Sequence, residues 1–276
     1  MGSDSRGRGE HLSESGRQQG LVFGEVASLY ESSRPGYPDQ VFDEIEQFAS
    51  LRSGSKILEI GAGTGKATLP MAHRGWSLLA LEPNGEMASV ARANLESCHA
   101  VRLVEASFEN WDPPETGFAA VCAAQSWHWV DPCVAFAKAA WVMASEGTLA
   151  LIWYRAMGGD ERIRKELDQV YRRLVPGISA TPPSELAGDR SVAINASGLF
   201  GPVTRVEVPW QQEYSGRAYT DLMRTQSDHR LLAPPVLDDL LLEVEQTIEM
   251  RGGRFRVDYM TLLYLARRRS RGPGHG

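Results

Sequence analysis

Apolar positions in the first half of the chain fall into short runs separated by longer mixed segments. The runs at residues 57–60, 76–81, 100–105, 118–124 and 148–154 are too short for helices and read as strands. The first is rich in β-branched residues, as a strand buried on both faces should be. Between them, residues 67–73, 84–95 and 132–143 read as helices. Upstream, residues 23–30 read as a short helix, 32–38 as a loop, and 39–51 as an amphipathic helix started by Asp39. Strand alternating with helix predicts an α/β chain with a parallel sheet covered on both faces.

The second half changes character. Residues 160–174 form a charged helical pattern, 176–189 a proline-marked loop, and 191–197 a short helix. Residues 203–214 alternate as a strand, 219–226 and 236–250 read as helices, and 254–266 as a closing strand after Gly252 and Gly253. The extra helices, at about 158–175 and 217–250, are expected to cap the strand ends. No internal repeat is visible.

Composition narrows this picture. A chain of 276 residues holds one large α/β domain with a small cap, expected over residues 21–266. The net charge of −6, with signs interspersed, argues against a nucleic-acid binder, which would carry a basic face. No apolar run approaches the roughly 20 residues that span a bilayer, so no membrane partner is expected. Cys98, Cys122 and Cys133 show no C-x-x-C spacing and read as free thiols in a reducing cytoplasm, with no metal site. Residues 1–20 are polar and rich in glycine and serine, and are expected to be disordered. Asp4, Glu10 and Glu14 argue there against a transit peptide. Residues 267–276 begin with Arg267, Arg268 and Arg269 and are expected as a solvated, disordered basic tail.

Chemistry concentrates after the first strand, in Glu59-Ile60-Gly61-Ala62-Gly63-Thr64-Gly65-Lys66. Glycines there allow a tight turn and let a ligand lie against bare backbone. A P-loop needs G-x-x-x-x-G-K-[ST], but Ile60 stands at the first glycine and Ala67 at the hydroxyl position. A dinucleotide fingerprint, G-x-G-x-x-G/A, is missed by one position, where Ala67 follows Lys66. The pattern that remains is acidic-x-G-x-G-x-G. About 20 residues beyond the turn, the second strand ends in Glu82, placed to accept hydrogen bonds from both ribose hydroxyls of a nucleoside. Glu82 suits NAD and S-adenosylmethionine (SAM) equally. Its other reading is a charge at the start of the next helix.

Four pieces together resemble the class I SAM-dependent methyltransferases. They are Glu59-Ile-Gly-Ala-Gly-Thr-Gly65, Leu81-Glu-Pro-Asn-Gly-Glu-Met87, Gln125-Ser-Trp-His-Trp129 with Asp131-Pro132, and Arg34-Pro-Gly-Tyr-Pro38. The last two are most similar to the small-molecule branch of trans-aconitate methyltransferase-like proteins. The resemblance spans roughly residues 20–266. It implies a Rossmann-like, doubly wound seven-stranded sheet, mostly parallel, with an antiparallel last strand. It also implies SAM as cofactor, with Ala62, Pro83 and Gln125 among the residues around it. The family often has an acidic residue, where Ala106 and Ser107 stand here, to hold the adenine amino group. That contact would pass to the Ser107 hydroxyl or the backbone at Phe108.

Methyl transfer requires nucleophile, methyl and sulfur in line at near-attack distance, and no metal. Gly61, Gly63 and Gly65 are then expected against the methionyl and ribose parts. Glu59 would meet the methionyl ammonium, or cap nearby strand-end N–H groups. Arg34 would pair with the methionyl carboxylate, or stand as a loop arginine. Met87 would pack on adenine or in the core. Tyr30 or Tyr37 would close the site from above. His128 lies just beyond the fourth strand, where open α/β sheets bind ligands, and reads either as general base or acceptor anchor, or as a pocket wall between Trp127 and Trp129. Trp127, Trp129, Trp153 and Tyr154 are expected to wall the acceptor, and Arg224, Gln226, Ser227 and His229 to read its polarity. The leading function is methylation of a small molecule at O, N or C, by a monomer or homodimer. The alternatives are a dinucleotide-dependent oxidoreductase, for which no Tyr-x-x-x-Lys set is found, and a non-catalytic SAM-binding protein.

Overall fold

Apolar runs with both faces covered become the parallel half of one sheet. A computed structural model describes residues 27–178 and 189–270. The elements are α1 (Ala27–Ser33), α2 (Asp39–Ala49), β1 (Lys56–Ile60), α3 (Thr68–His73), β2 (Ser77–Leu81), α4 (Gly85–Asn94), β3 (Val101–Val104) and β4 (Phe118–Ala124). A 3-10 turn (Trp127–Trp129) follows, then α5 (Pro132–Val142), β5 (Met143–Gly159), α6 (Glu161–Leu174), α7 (Ser191–Ala196) and β6 (Thr204–Ser215). The chain continues through α8 (Gly216–Arg224), a second 3-10 turn (His229–Leu231), α9 (Pro234–Glu249) and β7 (Arg254–Arg267). The expected tail at residues 1–20, the start of the first expected helix, most of the 176–189 loop and residues 271–276 lie outside the described residues.

The seven strands form one sheet in the order β3-β2-β1-β4-β5-β7-β6, with β7 antiparallel to both its neighbours. Successive side chains of a strand point to opposite faces, and the sheet's two cores follow that rule. Leu58, Leu79, Val121, Leu149 and Leu151 pack on one side with Ala135 and Ala139 of α5. Ile57, Leu78, Ala120, Cys122, Ala150 and Ile152 pack on the other, against Val41, Phe42 and Ile45 of α2 and Met71 of α3. A third core joins α6, α8 and α9 to Tyr214, Phe255, Val257 and Tyr259, in the part of the chain where the cap is expected. Among the described residues no helix is long and apolar enough to cross a membrane.

Two features differ from the sequence-based expectation. The first is the length of β5, expected only over 148–154. Its parallel pairing with β4 ends at Ile152, but its antiparallel pairing with β7 continues from Trp153 to Gly159. Residues 153–159 thus join β7 and β6 in a three-stranded antiparallel wing beyond the parallel half. The second is the basic run. Arg267 ends β7 and donates to the Phe48 carbonyl, Arg268 donates to the Gly147 and Met143 carbonyls, and Arg269 to Leu199 and Phe200. These three arginines bond to carbonyls of α2, of the start of β5 and of the segment before β6.

Candidate functional site

A cavity of about 730 Å³ opens at the carboxyl ends of β1, β2 and β4. That is the crevice where open α/β sheets take ligands. Its floor is the glycine turn. The Gly61 and Ala62 N–H groups both donate to the Leu81 carbonyl, at 2.8 and 2.9 Å, which folds the turn onto the end of β2. Gly61 has φ +71°, and a Cβ there would lie 2.5 Å from Ser126 Cβ. Gly63 has φ +59°, and a Cβ there would enter open space. Gly65 is a correction to the expected set. It does not line the cavity, and a Cβ on it would meet Leu95 at 3.3 Å, so it turns the chain toward α3 with its open face on α4.

Two buried carboxylates stand in the wall beside the turn. Glu82 Oε2 accepts from Gly63 N–H at 2.8 Å, and Oε1 from Asn84 N–H at 2.9 Å. Burial pushes the Glu82 carboxyl above its ordinary range, against the pull of those two N–H groups. The cap of α4 is Asn84, whose Oδ1 accepts from Glu86 and Met87 N–H at 3.0 Å, so Glu82 is free of that task. Glu59 is 1% exposed, and its Oε2 accepts from the Thr68 hydroxyl at 2.6 Å. Oε1 is buried without a hydrogen-bond partner among the described residues. Burial raises the carboxyl to about 7, the Thr68 bond opposes this, and the Glu82 charge adds to it. A buried carboxylate with one orphaned oxygen beside an open glycine cradle fits a ligand that brings an ammonium group. The methionyl end of SAM is such a ligand.

A strap formed by α1 and the following loop covers the cavity. Arg34 Nε and Nη2 donate to Thr225 Oγ1 and carbonyl at 2.8 and 2.9 Å, tying the strap to the end of α8. Lys66 Nζ donates to the Glu31 carbonyl at 2.6 Å and ties it to the glycine turn. Tyr30, Arg34 and Tyr37 therefore line the cavity, with the Arg34 guanidinium 5.3 Å from the centre of the Tyr30 ring. Tyr37 meets Tyr154 edge to face at 5.6 Å.

The far wall comes from the end of β4. Gln125 takes a left-handed φ of +57°, which reverses the chain into the 3-10 turn, and its Nε2 donates to the Tyr154 carbonyl at 3.0 Å. His128 and Trp129 line the cavity with ring centroids 4.6 Å apart. Burial and the Arg190 charge push the His128 imidazole down to about 4. Trp127 and Trp153 are corrections. Trp127 turns into the core against Phe136 at 5.2 Å. Trp153 and Tyr154 are neighbours on one strand, so only one can face the cavity. Tyr154 does, while Trp153 is buried beside Tyr264.

Of the expected cap residues, Ser227 lines the cavity. Arg224 does not and instead lies 3.7 Å from Asp238, and Gln226 is also outside the lining. His229 is buried away from it, between the Tyr171 hydroxyl at 2.7 Å and Asp228 Oδ1 at 2.8 Å. Pro83, Met87, Ser107 and Phe108 also line the cavity. There Ser107 Oγ accepts from Asn110 N–H at 3.3 Å. Sequence reasoning missed Glu109 and Asp131 in the same wall, joined by a 2.8 Å bond from Asp131 N–H to Glu109 Oε1. The available signal was Asp131-Pro132, a helix-start pair, and Asp131 does cap α5 by accepting from Cys133 N–H. Glu105, the nearer acid, turns outward to Arg92 at 3.3 Å.

Comparison with known proteins adds three findings. A methyltransferase-domain family model matches residues 57–147. An uncharacterized methyltransferase of Mycobacterium tuberculosis is 32% identical over 213 residues, covering 76% of this chain and 79% of that protein. Among solved structures, a candidate type II methyltransferase from Anaeromyxobacter dehalogenans superposes with a TM-score of 0.62 at 20% identity, over 85% of this chain and 97% of that one. Phosphoethanolamine N-methyltransferase 2 of Haemonchus contortus, in complex with phosphomonomethylethanolamine and S-adenosylhomocysteine, gives 0.51 at 14% identity, over 89% of this chain and 57% of that one.

Proposed function

The chain belongs to the SAM-dependent methyltransferases, and from that premise we propose that it methylates an O, N or C atom of a small-molecule acceptor. The observation that carries this reading is the cavity of about 730 Å³ at the glycine turn, whose strap is pinned over it by the Arg34–Thr225 bonds. That volume suits one cofactor and one small molecule. The motifs at 34–38 and 125–132, which resemble the small-molecule branch, support it, as does the small molecule bound in the Haemonchus complex. Family membership removes the dinucleotide-dependent oxidoreductase from consideration.

In this reading Gly61, Ala62, Gly63 and Gln125 form the bed of the cofactor. Glu59 holds the methionyl ammonium and Arg34, beside Tyr30, the carboxylate. Glu82 and Pro83 take the ribose, and Met87, Ser107 and Phe108 the adenine. When bound, the cofactor supplies a methyl group on a cationic sulfur with a good leaving group behind it. The chain's own residues orient the acceptor and close it off. Tyr37, Trp129, Tyr154 and Ser227 bound the acceptor end beside His128, and the gain is in proximity and alignment.

The test is a product mass spectrum after incubation with SAM and a panel of small carboxylic acids, phenols and amines. A mass gain of one methyl group on a panel member is expected. Methylation confined to protein or RNA substrates would overturn the small-molecule reading. Cofactor binding with no methylated product from any of these would favour a non-catalytic SAM-binding protein.

A further inference from the structure

We infer that Trp153 is a positioning residue that sets His128 as a hydrogen-bond donor, so that His128 Nε2–H anchors the acceptor and does not take its proton. This rests on the methyltransferase reading above and names the chemistry at its acceptor end, a lone pair on oxygen or nitrogen facing residue 128.

The argument is one of tautomers. A neutral imidazole has one N–H and one lone pair, and an indole nitrogen can only donate. Trp153 Nε1–H points at His128 Nδ1, 3.4 Å away. Nδ1 must then hold the lone pair, and the proton sits on Nε2. Nε2 has no partner among the described residues, is not sealed from solvent space, and belongs to a ring that lines the cavity. The cavity therefore meets an N–H. Turning the ring over would set a C–H against the indole N–H, so the same bond also fixes the ring's orientation.

The surroundings keep this arrangement. Trp153 is buried, pairs with Leu262 through the β5–β7 ladder and meets Tyr264 edge to face at 5.9 Å. The Arg190 guanidinium, from the turn before α7, lies 5.1 Å from the centre of the Trp153 ring and holds the indole by its face. Burial, and after it the Arg190 charge, push the imidazole down to about 4 and so favour the uncharged ring. Glu109 and Asp131 line the same cavity, but they bond to backbone N–H groups and not to the imidazole. A general base needs its lone pair toward the acceptor. Here the lone pair faces the indole. Trp153 does not line the cavity, so it acts through His128.

The test is a proton–nitrogen correlation spectrum of the full-length enzyme, labelled with ¹⁵N at histidine rings and saturated with S-adenosylhomocysteine. His128 is identified by the signal lost in His128→Gln. A single tautomer is expected, with Nε2 protonated, unchanged from about pH 8 to about pH 5.5. In Trp153→Phe, which keeps a ring but loses the N–H, the second tautomer is expected to appear. A wild-type ring protonated at Nδ1, or one that gains a proton near the ordinary histidine value of about 6.5, overturns the proposal. An unchanged tautomer in Trp153→Phe overturns the positioning role. If that variant does not fold, the wild-type spectrum still decides. The spectrum needs no acceptor, so a wrong tautomer and a wrong acceptor class fail in separate experiments.

Discussion

Gly63 N–H donates to Glu82 Oε2 at 2.8 Å, so the turn after β1 and the carboxylate closing β2 are one unit. The other oxygen is tied to Asn84 N–H. A carboxylate has about four lone-pair sites. The two left over are oriented by backbone before any ligand arrives, and this pre-organisation lowers the cost of binding a pair of hydroxyls.

Glu82→Ala is therefore expected to weaken S-adenosylhomocysteine binding by about 1–3 kcal/mol, the cost of charge-assisted bonds left unmade. The fold should survive, because Asn84 carries the α4 cap. Titration calorimetry reads the affinity. An unchanged value would mean that the carboxylate serves only the turn.

The two cavity-lining glycines should fail differently. Alanine at Gly61 collides with Ser126 Cβ, a backbone-near atom that cannot swing away, so Gly61→Ala should unfold at markedly lower denaturant. Alanine at Gly63 has room for its Cβ and meets only the strain of the left-handed region, about 1–2 kcal/mol. Its Cβ stands in the cradle, so Gly63→Ala should fold and lose cofactor affinity. Urea melts and calorimetry on both variants separate the two outcomes.

Glu59 is expected to make cofactor binding depend on pH. Its folded-state value, about 7, lies above the ordinary one, so its contribution to stability is full below about pH 4.5 and is lost as pH rises through about 7. An incoming ammonium favours the ionised form. Binding should then release a proton below about pH 7, with affinity rising from about pH 5.5 to 7. Calorimetry in buffers of different ionisation enthalpy measures the release. Glu59→Gln should abolish it and weaken binding while leaving the protein folded.

The cap has its own test. Tyr171→Phe leaves His229 Nε2 buried without its 2.7 Å partner. A loss of about 1–3 kcal/mol in folding stability is expected from thermal or urea melts, with cofactor affinity little changed. A large loss of cofactor affinity would mean that the cap's fit is coupled to the cofactor end of the cavity.

The parallel half of the fold was legible because its signals are local. Short buried runs alternate with helical segments along it, and β4 begins and ends where the apolar run does. What was not legible depends on partners far away. Residues 155–159 carry two glycines and no strand pattern, and only pairing with β7 makes them a strand. Arg34 finds Thr225 across 191 positions. The tryptophans near the site were mis-sorted for another reason. Composition said that aromatic rings gather there, but a 3-10 turn has no period that tells Trp127 from Trp129, and the inward face of β5 was set by the wing. The placement of Glu59 and Glu82 beside the glycine turn was readable because spacing from such a turn needs no tertiary information.

The wing beyond Ile152 also has a mechanical meaning. Tyr154 stands on it, braced by Trp210 at 5.8 Å and Tyr259 at 5.7 Å. Trp210 and Tyr259 stack at 4.4 Å, and Trp210 Nε1 is pinned to Thr261 Oγ1 at 2.9 Å. Backbone pairing to β4 stops at the Ala124–Ile152 rung, and beyond it the wing is held by the Gln125 side chain and by packing on α6, α8 and α9. A shift of the wing carries Tyr154 and the Gln125 amide bonded to its carbonyl together, while the bonds from Gly61 and Ala62 to Leu81 and from Gly63 to Glu82 lie outside it. Under the proposed small-molecule reading, the stiffness of that ring stack is then expected to limit the range of acceptor sizes the site takes.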